Sequence, residues 1–345
     1  MSLKRRHAIT ILYLVSVFFL YSFTFSHFSA ATHSENSSLL KYEVDDAFVG
    51  SLKHIIRIDN PTSERVIGKL FVPIIRNETA RHYILYNITS LKDQLTISKD
   101  NSGNIYACWS NVTIGEKQTF TVEINYYVLS FSIRYLINSS RIADYDKSSD
   151  LYKKYTQPEE LIQSNNSKIV WKAQNITNGE NNIHGKVFRI YNFVITHMSY
   201  VVQENEMGAL WALENRTGDC SEYSYLFVAL CRAAGIPARV QAGFAFHTSS
   251  ETLKDGHMWA EYYLENYGWI PVDATWRQFD LIDKRHFSSI RSMSEVIPYA
   301  NYFFNCTIGP EPADNQTVLL KPCSPSVFGD DFFAENVMEA IQRIK

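Results

Sequence analysis

Three residues in the second half of the chain have the types and order that thiol acyl-transfer chemistry requires: Cys220, His257 and Asp273. A cysteine supplies the nucleophile, a histidine moves the proton, and a carboxylate holds the imidazole in one orientation. Cys220 lies in Thr217-Gly-Asp-Cys-Ser-Glu-Tyr-Ser224. His257 opens His257-Met-Trp-Ala-Glu261, and Asp273 closes Trp269-Ile-Pro-Val-Asp273. A lone helical cysteine is usually a small buried hydrophobe, so placement and partners must distinguish this one.

The placement is specific. After Cys220 the apolar residues fall at Tyr223, Leu226, Phe227, Leu230 and Ala234, the spacing of a helix with one buried face. Asp219 fits the N-cap, with Glu222 completing a capping box, and Gly235 followed by Pro237 stops the helix. Cys220 then takes the first helical position, beside unpaired N–H groups and the positive end of the dipole, which favour a thiolate. Asp219 and Glu222 oppose that charge, so the histidine is needed to balance it. From His257 the sequence alternates as a strand, with Met258, Ala260, Tyr262 and Leu264 on one face. The turn reads as Glu265-Asn-Tyr-Gly268, and a hairpin centred on Glu265 sets His257 directly opposite Asp273. Trp259 and Trp269 read as pocket walls or core. The backbone N–H of Cys220 is the natural first oxyanion donor; Trp211, Asn215 or the preceding helix are the candidates for a second.

These blocks, together with Ala233-Ala-Gly-Ile-Pro-Ala-Arg-Val240 and Gly243-Phe244, resemble the transglutaminase-like superfamily of thiol enzymes, related in architecture to papain-like proteases. The resemblance covers about 185–280. It implies Cys220 as nucleophile, His257 as base and Asp273 as orienter, with an acyl-enzyme thioester resolved by water or an amine. No cofactor and no metal are expected, because the other histidines lack paired spacing and no Gly-x-Gly-x-x-Gly or Walker-type loop is present. Lysine and arginine are too scattered for nucleic-acid binding.

The N-terminus points to export. Residues 8–25 are almost wholly apolar and follow Lys4-Arg-Arg6, a basic region before a long hydrophobic one. That length approaches a membrane span, so an uncleaved anchor is favoured over a signal cleaved near Ser29-Ala-Ala31, with the remaining chain outside. Glycosylation sequons fall at Asn36, Asn77, Asn87, Asn111, Asn138, Asn165, Asn175, Asn215, Asn305 and Asn315. Of 5 cysteines, one is left over after pairing, as a free catalytic thiol in an oxidising compartment would be. Cys306 and Cys323 flank a polar loop and are the favoured disulfide; Cys108 and Cys231 read as buried thiols, with a pairing between them the lesser alternative.

The expected fold class is α+β: a papain-like, transglutaminase-like catalytic domain preceded by an all-β sandwich. The 345 residues, with a net charge of −3, divide into a signal or anchor over 1–31, a sandwich over 40–140, a connecting segment over 141–184, a catalytic domain over 185–290 and a C-terminal extension over 291–345. Strand-like runs such as His54–Ile58, Leu70–Ile75 and Phe120–Val128 carry the sandwich, and a helix is expected over 185–202. The extension ends in helix-like spacing over 331–345. The expected function is an extracytoplasmic, membrane-anchored thiol enzyme that cleaves or transfers acyl groups at amide bonds of protein or peptide, with hydrolysis favoured. Two alternatives stay open: a protein-glutamine cross-linking transglutaminase, and a non-enzymatic cell-surface scaffold that retains the triad.

Overall fold

From Phe48 onward, strand β1 (Tyr42–Asp59) buries every second side chain, sending Leu52, Ile56 and Ile58 inward. Next come β2 (Val66–Pro73), β3 (His82–Thr89), β4 (Leu95–Lys99), β5 (Ile105–Ile114) and β6 (Thr119–Tyr135). The computed structural model describes residues 41–77, 82–89, 95–292 and 300–324. The expected anchor over 1–31 and the expected tail helix over 331–345 lie outside the described residues. Among the described residues, no helix is long and apolar enough to cross a membrane.

The helical part holds α1 (Asp150–Thr156), α2 (Ser167–Thr177), α3 (Ile183–His197), α4 (Gly208–Asn215) and α5 (Cys220–Ala233). Short strands β7 (Ser199–Tyr200) and β8 (Thr217–Gly218) flank α4. Then follow β9 (Ala238–Ala245), β10 (Glu251–Leu253), β11 (His257–Leu264), β12 (Gly268–Asp273), β13 (Gln278–Phe279), β14 (Leu281–Ile282) and β15 (His286–Arg291). Two long-range strands, β16 (Phe303–Ile308) and β17 (Ala313–Pro322), complete the described chain. The class is α+β, with the strand-rich region preceding the helices.

Two sheets make the sandwich. One runs β10-β17-β1-β6-β14 with β3 also on β6; the other runs β16-β2-β5-β4. Both C-terminal strands therefore return to the N-terminal sheets, β17 beside β1 and β16 beside β2. The core between them joins Leu52, Ile56, Leu70, Trp109, Val122 and Tyr126. Cys306 and Cys323, expected as a disulfide, are both free thiols. Cys306 lies on β16 and Cys323 directly follows β17, so the two belong to different sheets.

A third sheet, β13-β12-β11-β9-β15, positions the site. One face, with Val240, Ala260, Tyr262 and Val272, packs on α5 and its neighbouring helices. Phe244 and Phe287 from the same sheet enter the sandwich core instead. Helix α5 differs from the one-faced amphipathic helix that its spacing predicts. Every residue from Ser221 to Arg232 is buried, because helices cover the sides that the sheet leaves open. Its one interior cation is held by its Nε and Nη1: Arg232 donates to the Ala238 and Gln157 carbonyls at 2.8 and 2.7 Å and pairs with Glu159 at 2.6 Å. The stretch expected as a connection over 141–184 carries α1 and α2, capped by Ser149 and Asn166. Helix α2 sends only Ile169 and Ala173 into the core, which leaves a thin apolar signal in the sequence. Helix α3 stops at His197 rather than 202, and the chain turns into β7, whose Tyr200 pairs in parallel with Gly218.

Candidate active site

The site is assembled at the start of α5. Asp219 is the N-cap, accepting from the Ser221 N–H at 2.9 Å, while Glu222 reaches back to the Asp219 N–H at 3.1 Å. Glu222 also accepts from the Met207 N–H at 2.9 Å, tying the loop before α4 to the same turn. Burial raises the Glu222 proton affinity against these backbone donors, which lower it. Gly218 makes this turn feasible. Its φ is 153°, and a Cβ there would sit 2.3 Å from the Glu222 Cβ. The expected capping box is thus formed, with Cys220 as the first helical residue.

His257 starts β11 and Asp273 ends β12. The His257 Nε2 lies 2.7 Å from the Asp273 Oδ2. The second ring nitrogen is left for the thiol, and a side-chain hydrogen bond joins the ring to Cys220. The structure thus brings together all three residues singled out in the sequence. The pairing between His257 and Asp273 differs from expectation. The hairpin pairs Ala260 with Val272 and Leu264 with Gly268, so it is centred on Asn266. Extending that ladder by one step sets Trp259, not His257, opposite Asp273. A shift of the centre by one residue moves the pairing by two, so the side chain stays on the same face and His257 reaches Asp273 diagonally. Asn266 and Gly268, at φ 70° and 90°, produce this turn.

Burial opposes a charge on His257, yet the Asp273 carboxylate and the contact with Cys220 outweigh it and raise the pKa to about 9. Asp273 is buried, which favours its neutral form; His257 and His286 nevertheless hold it well below the usual carboxylate range. Trp276 donates its backbone N–H to the Asp273 Oδ1 at 2.9 Å, and its ring lies 5.2 Å from that of His257. Trp259 is core, with its ring 6.0 Å from His257. Trp269 lies under the Arg239 guanidinium and meets the Tyr155 ring edge-on. Asn215, weighed as an oxyanion donor, gives its amide to the Trp211 carbonyl at 3.0 Å.

Sequence reasoning missed His286. It opens β15, is fully buried, and places its Nε2 3.1 Å from the same Asp273 Oδ2. Its signal was faint: Asp283-Lys-Arg-His286 reads as a charged turn, although an alternating strand follows. His257, Asp273 and His286 also bring donor atoms within 4.8 Å of one another, a spacing that could hold a metal. A metal there would have to displace hydrogen bonds that already join these atoms in the buried site.

A cleft of about 220 Å³ opens beside the thiol, lined by Gln203, Glu204, Glu206, Asp219, His257 and Asn301 among others. Glu206 accepts from the Tyr225 hydroxyl at 2.6 Å. Opposite His257, Gly243 stays bare because a Cβ there would lie 2.0 Å from the Phe287 carbonyl oxygen.

The sequence profile of the transglutaminase-like superfamily matches residues 172–274, which hold Cys220, His257 and Asp273. This segment is a transglutaminase-like core. Over 71 residues the chain is similar, at 37% identity, to a protein-glutamine gamma-glutamyltransferase of Pseudomonas aeruginosa, covering 19% of this chain and 11% of that protein. Over 76 residues it is similar, at 38% identity, to an uncharacterized protein of Haemophilus influenzae, covering 16% of this chain and 21% of that protein. The matches span about a tenth and a fifth of the length of these curated relatives. Among solved structures it is similar in fold to a candidate cysteine protease from Cytophaga hutchinsonii. The TM-score is 0.52 at 19% identity, covering 81% of this chain and 100% of that one.

Proposed function

We propose that the chain is a cysteine-dependent enzyme acting on amide bonds of protein or peptide outside the cytoplasm, with water as the acyl acceptor. The observation that carries this reading is the placement of His257 between Cys220 and the buried carboxylate of Asp273. His257 already carries its proton as the Cys220 sulfur attacks the amide carbon, and a C–S bond forms. The Cys220 N–H, at the helix start, is the first donor for the oxyanion. As the C–N bond breaks, the imidazolium returns its proton to the leaving nitrogen. His257 then deprotonates a water that attacks the thioester, releasing the acid and restoring the thiol. Asp273 keeps the ring in one orientation throughout.

One observation favours an amine as acceptor instead: Glu204 and Glu206 line the cleft, where carboxylates attract a lysine-like group. For location, the reading rests on the basic and apolar pattern before residue 31, consistent with an anchor, and on the sequons. The sequon asparagines among the described residues, from Asn77 to Asn315, are all exposed. The sandwich would then space the catalytic sheet from the membrane.

An activity-based thiol probe tests the reading. It should label Cys220 selectively over the other cysteines, and about a hundredfold more slowly in His257→Gln. Equal, slow labelling of Cys220 in both proteins would favour the scaffold.

A further inference from the structure

We propose that His286 is a positioning residue, held as an imidazolium between Asp273 and Asp283, and that it tempers the base His257 by sharing one oxygen of Asp273 with it. The second half of this proposal rests on the functional reading above; the first half does not.

The His286 Nε2 is 3.1 Å from the Asp273 Oδ2, and its Nδ1 is 3.1 Å from the Asp283 Oδ1. An ionised carboxylate only accepts, whereas a neutral imidazole has a single N–H. One contact therefore needs an additional proton, on the ring or on an acid. The acids have no use for it. The Asp273 Oδ1 accepts from the Trp276 N–H, and its Oδ2 faces His257. The Asp283 Oδ1 accepts from the Arg285 N–H at 2.7 Å, and its Oδ2 from the Gln278 amide at 2.8 Å. Each carboxylate oxygen is thus occupied by an N–H donor, which leaves the proton on His286 with both nitrogens donating.

The surroundings fix the ring. His286 is fully buried, with its ring edge-on to those of Trp276 at 4.8 Å, Trp259 at 5.3 Å and His257 at 5.8 Å. The facing charged and titratable groups are Asp273 at the end of β12, Asp283 before β15, His257 at the start of β11, and Arg285, which lies 3.5 Å from Asp283. Burial alone would discharge His286, and the two carboxylates reverse that tendency. A second cation on the Asp273 Oδ2 weakens the hold of that oxygen on the His257 proton. His257 then remains able to give the proton up to a leaving nitrogen rather than being locked as a permanent cation.

The test is a pH series of nitrogen-15 spectra on the full chain with labelled histidine, in wild type, His286→Gln and Asp283→Asn. Glutamine keeps a donor toward Asp273 and removes the charge; asparagine at 283 removes the outer carboxylate and leaves the ring. In wild type, the His286 pair, identified by its loss in His286→Gln, should show protons on both nitrogens at neutral pH. Either variant that retains the wild-type fold should raise the proton affinity of His257 about tenfold. A bare His286 nitrogen at neutral pH, or an unmoved His257 titration in a folded variant, overturns the proposal. Thiol-probe labelling of the same samples keeps the two readings separate. An inert Cys220 beside a doubly protonated His286 overturns the enzyme and the tempering role, leaving the charge assignment standing.

Discussion

Arg239 and Glu261 are a direct cross-strand pair between β9 and β11, with the guanidinium Nε and Nη2 each 2.7 Å from the Glu261 Oε2. Both are nearly buried, and Trp269 stacks over the guanidinium at 3.8 Å. The pair ties β9 to the strand that begins with His257. Removing one partner strands a buried charge, which costs about 3–5 kcal/mol. Glu261→Gln should therefore lower unfolding free energy in a urea titration by that amount; a change below about 0.5 kcal/mol would mean solvent reaches Arg239.

Gly218 sits where a side chain would meet the capping glutamate. With φ at 153° and the Glu222 Cβ only 2.3 Å from where a methyl would go, alanine must displace the capping glutamate. Gly218→Ala should cost about 1–3 kcal/mol of stability. It should also slow Cys220 labelling, because the first turn of α5 shifts with Glu222. Unaltered labelling in a folded Gly218→Ala protein would detach the turn from the thiol.

Activity should depend on pH in a defined way. The pKa of His257, raised to about 9, means that the ring keeps its proton at neutral pH and loses it as pH rises through that value. The rate of amide cleavage should therefore fall on the alkaline side near pH 9, where proton donation to the leaving nitrogen fails. Asp273, held low by His257 and His286, stays ionised well into acid and should contribute no limb near neutrality. A pH profile of kcat/KM reads both, and an alkaline limb near the ordinary histidine value would contradict the buried ion pair.

Asp273→Asn keeps the shape of the side chain and removes its charge. Loss of the corresponding orienting carboxylate in thiol and serine enzymes costs on the order of a thousandfold or more in turnover. The same loss is expected here, in kcat rather than in KM, because Asp273 is fully buried and does not line the space where substrate would enter. Steady-state kinetics on one peptide checks this, and a pure KM effect would contradict it.

Much of the site was legible because its signals are local. Asp219, Glu222, Gly235 and Pro237 mark both ends of α5 within one short stretch, so the position of Cys220 followed from capping and stop chemistry alone. The facing of His257 and Asp273 survived a misjudged turn, because strand faces repeat every second residue and the hairpin slipped by an even number. His286 escaped because its burial comes from distant chain: β15 lies against β9, and Trp259 and Trp276 close over it. The strands β16 and β17 escaped for the same reason. Their partners β2 and β1 lie far back in the chain, and no local pattern encodes that return. The Cys306 and Cys323 pairing failed with it, since nearness in sequence said nothing about which sheet each would join.

The most direct test of the central claim is mass spectrometry of glutamine-containing peptides incubated with the wild-type protein and with Cys220→Ala, in the presence and absence of a lysine-like amine. The account predicts cleavage or deamidation by the wild type, at least about a thousandfold faster than by Cys220→Ala, with amine adducts a minor product. Peptides left unchanged by folded wild-type protein, or altered equally by Cys220→Ala, would contradict a Cys220 nucleophile.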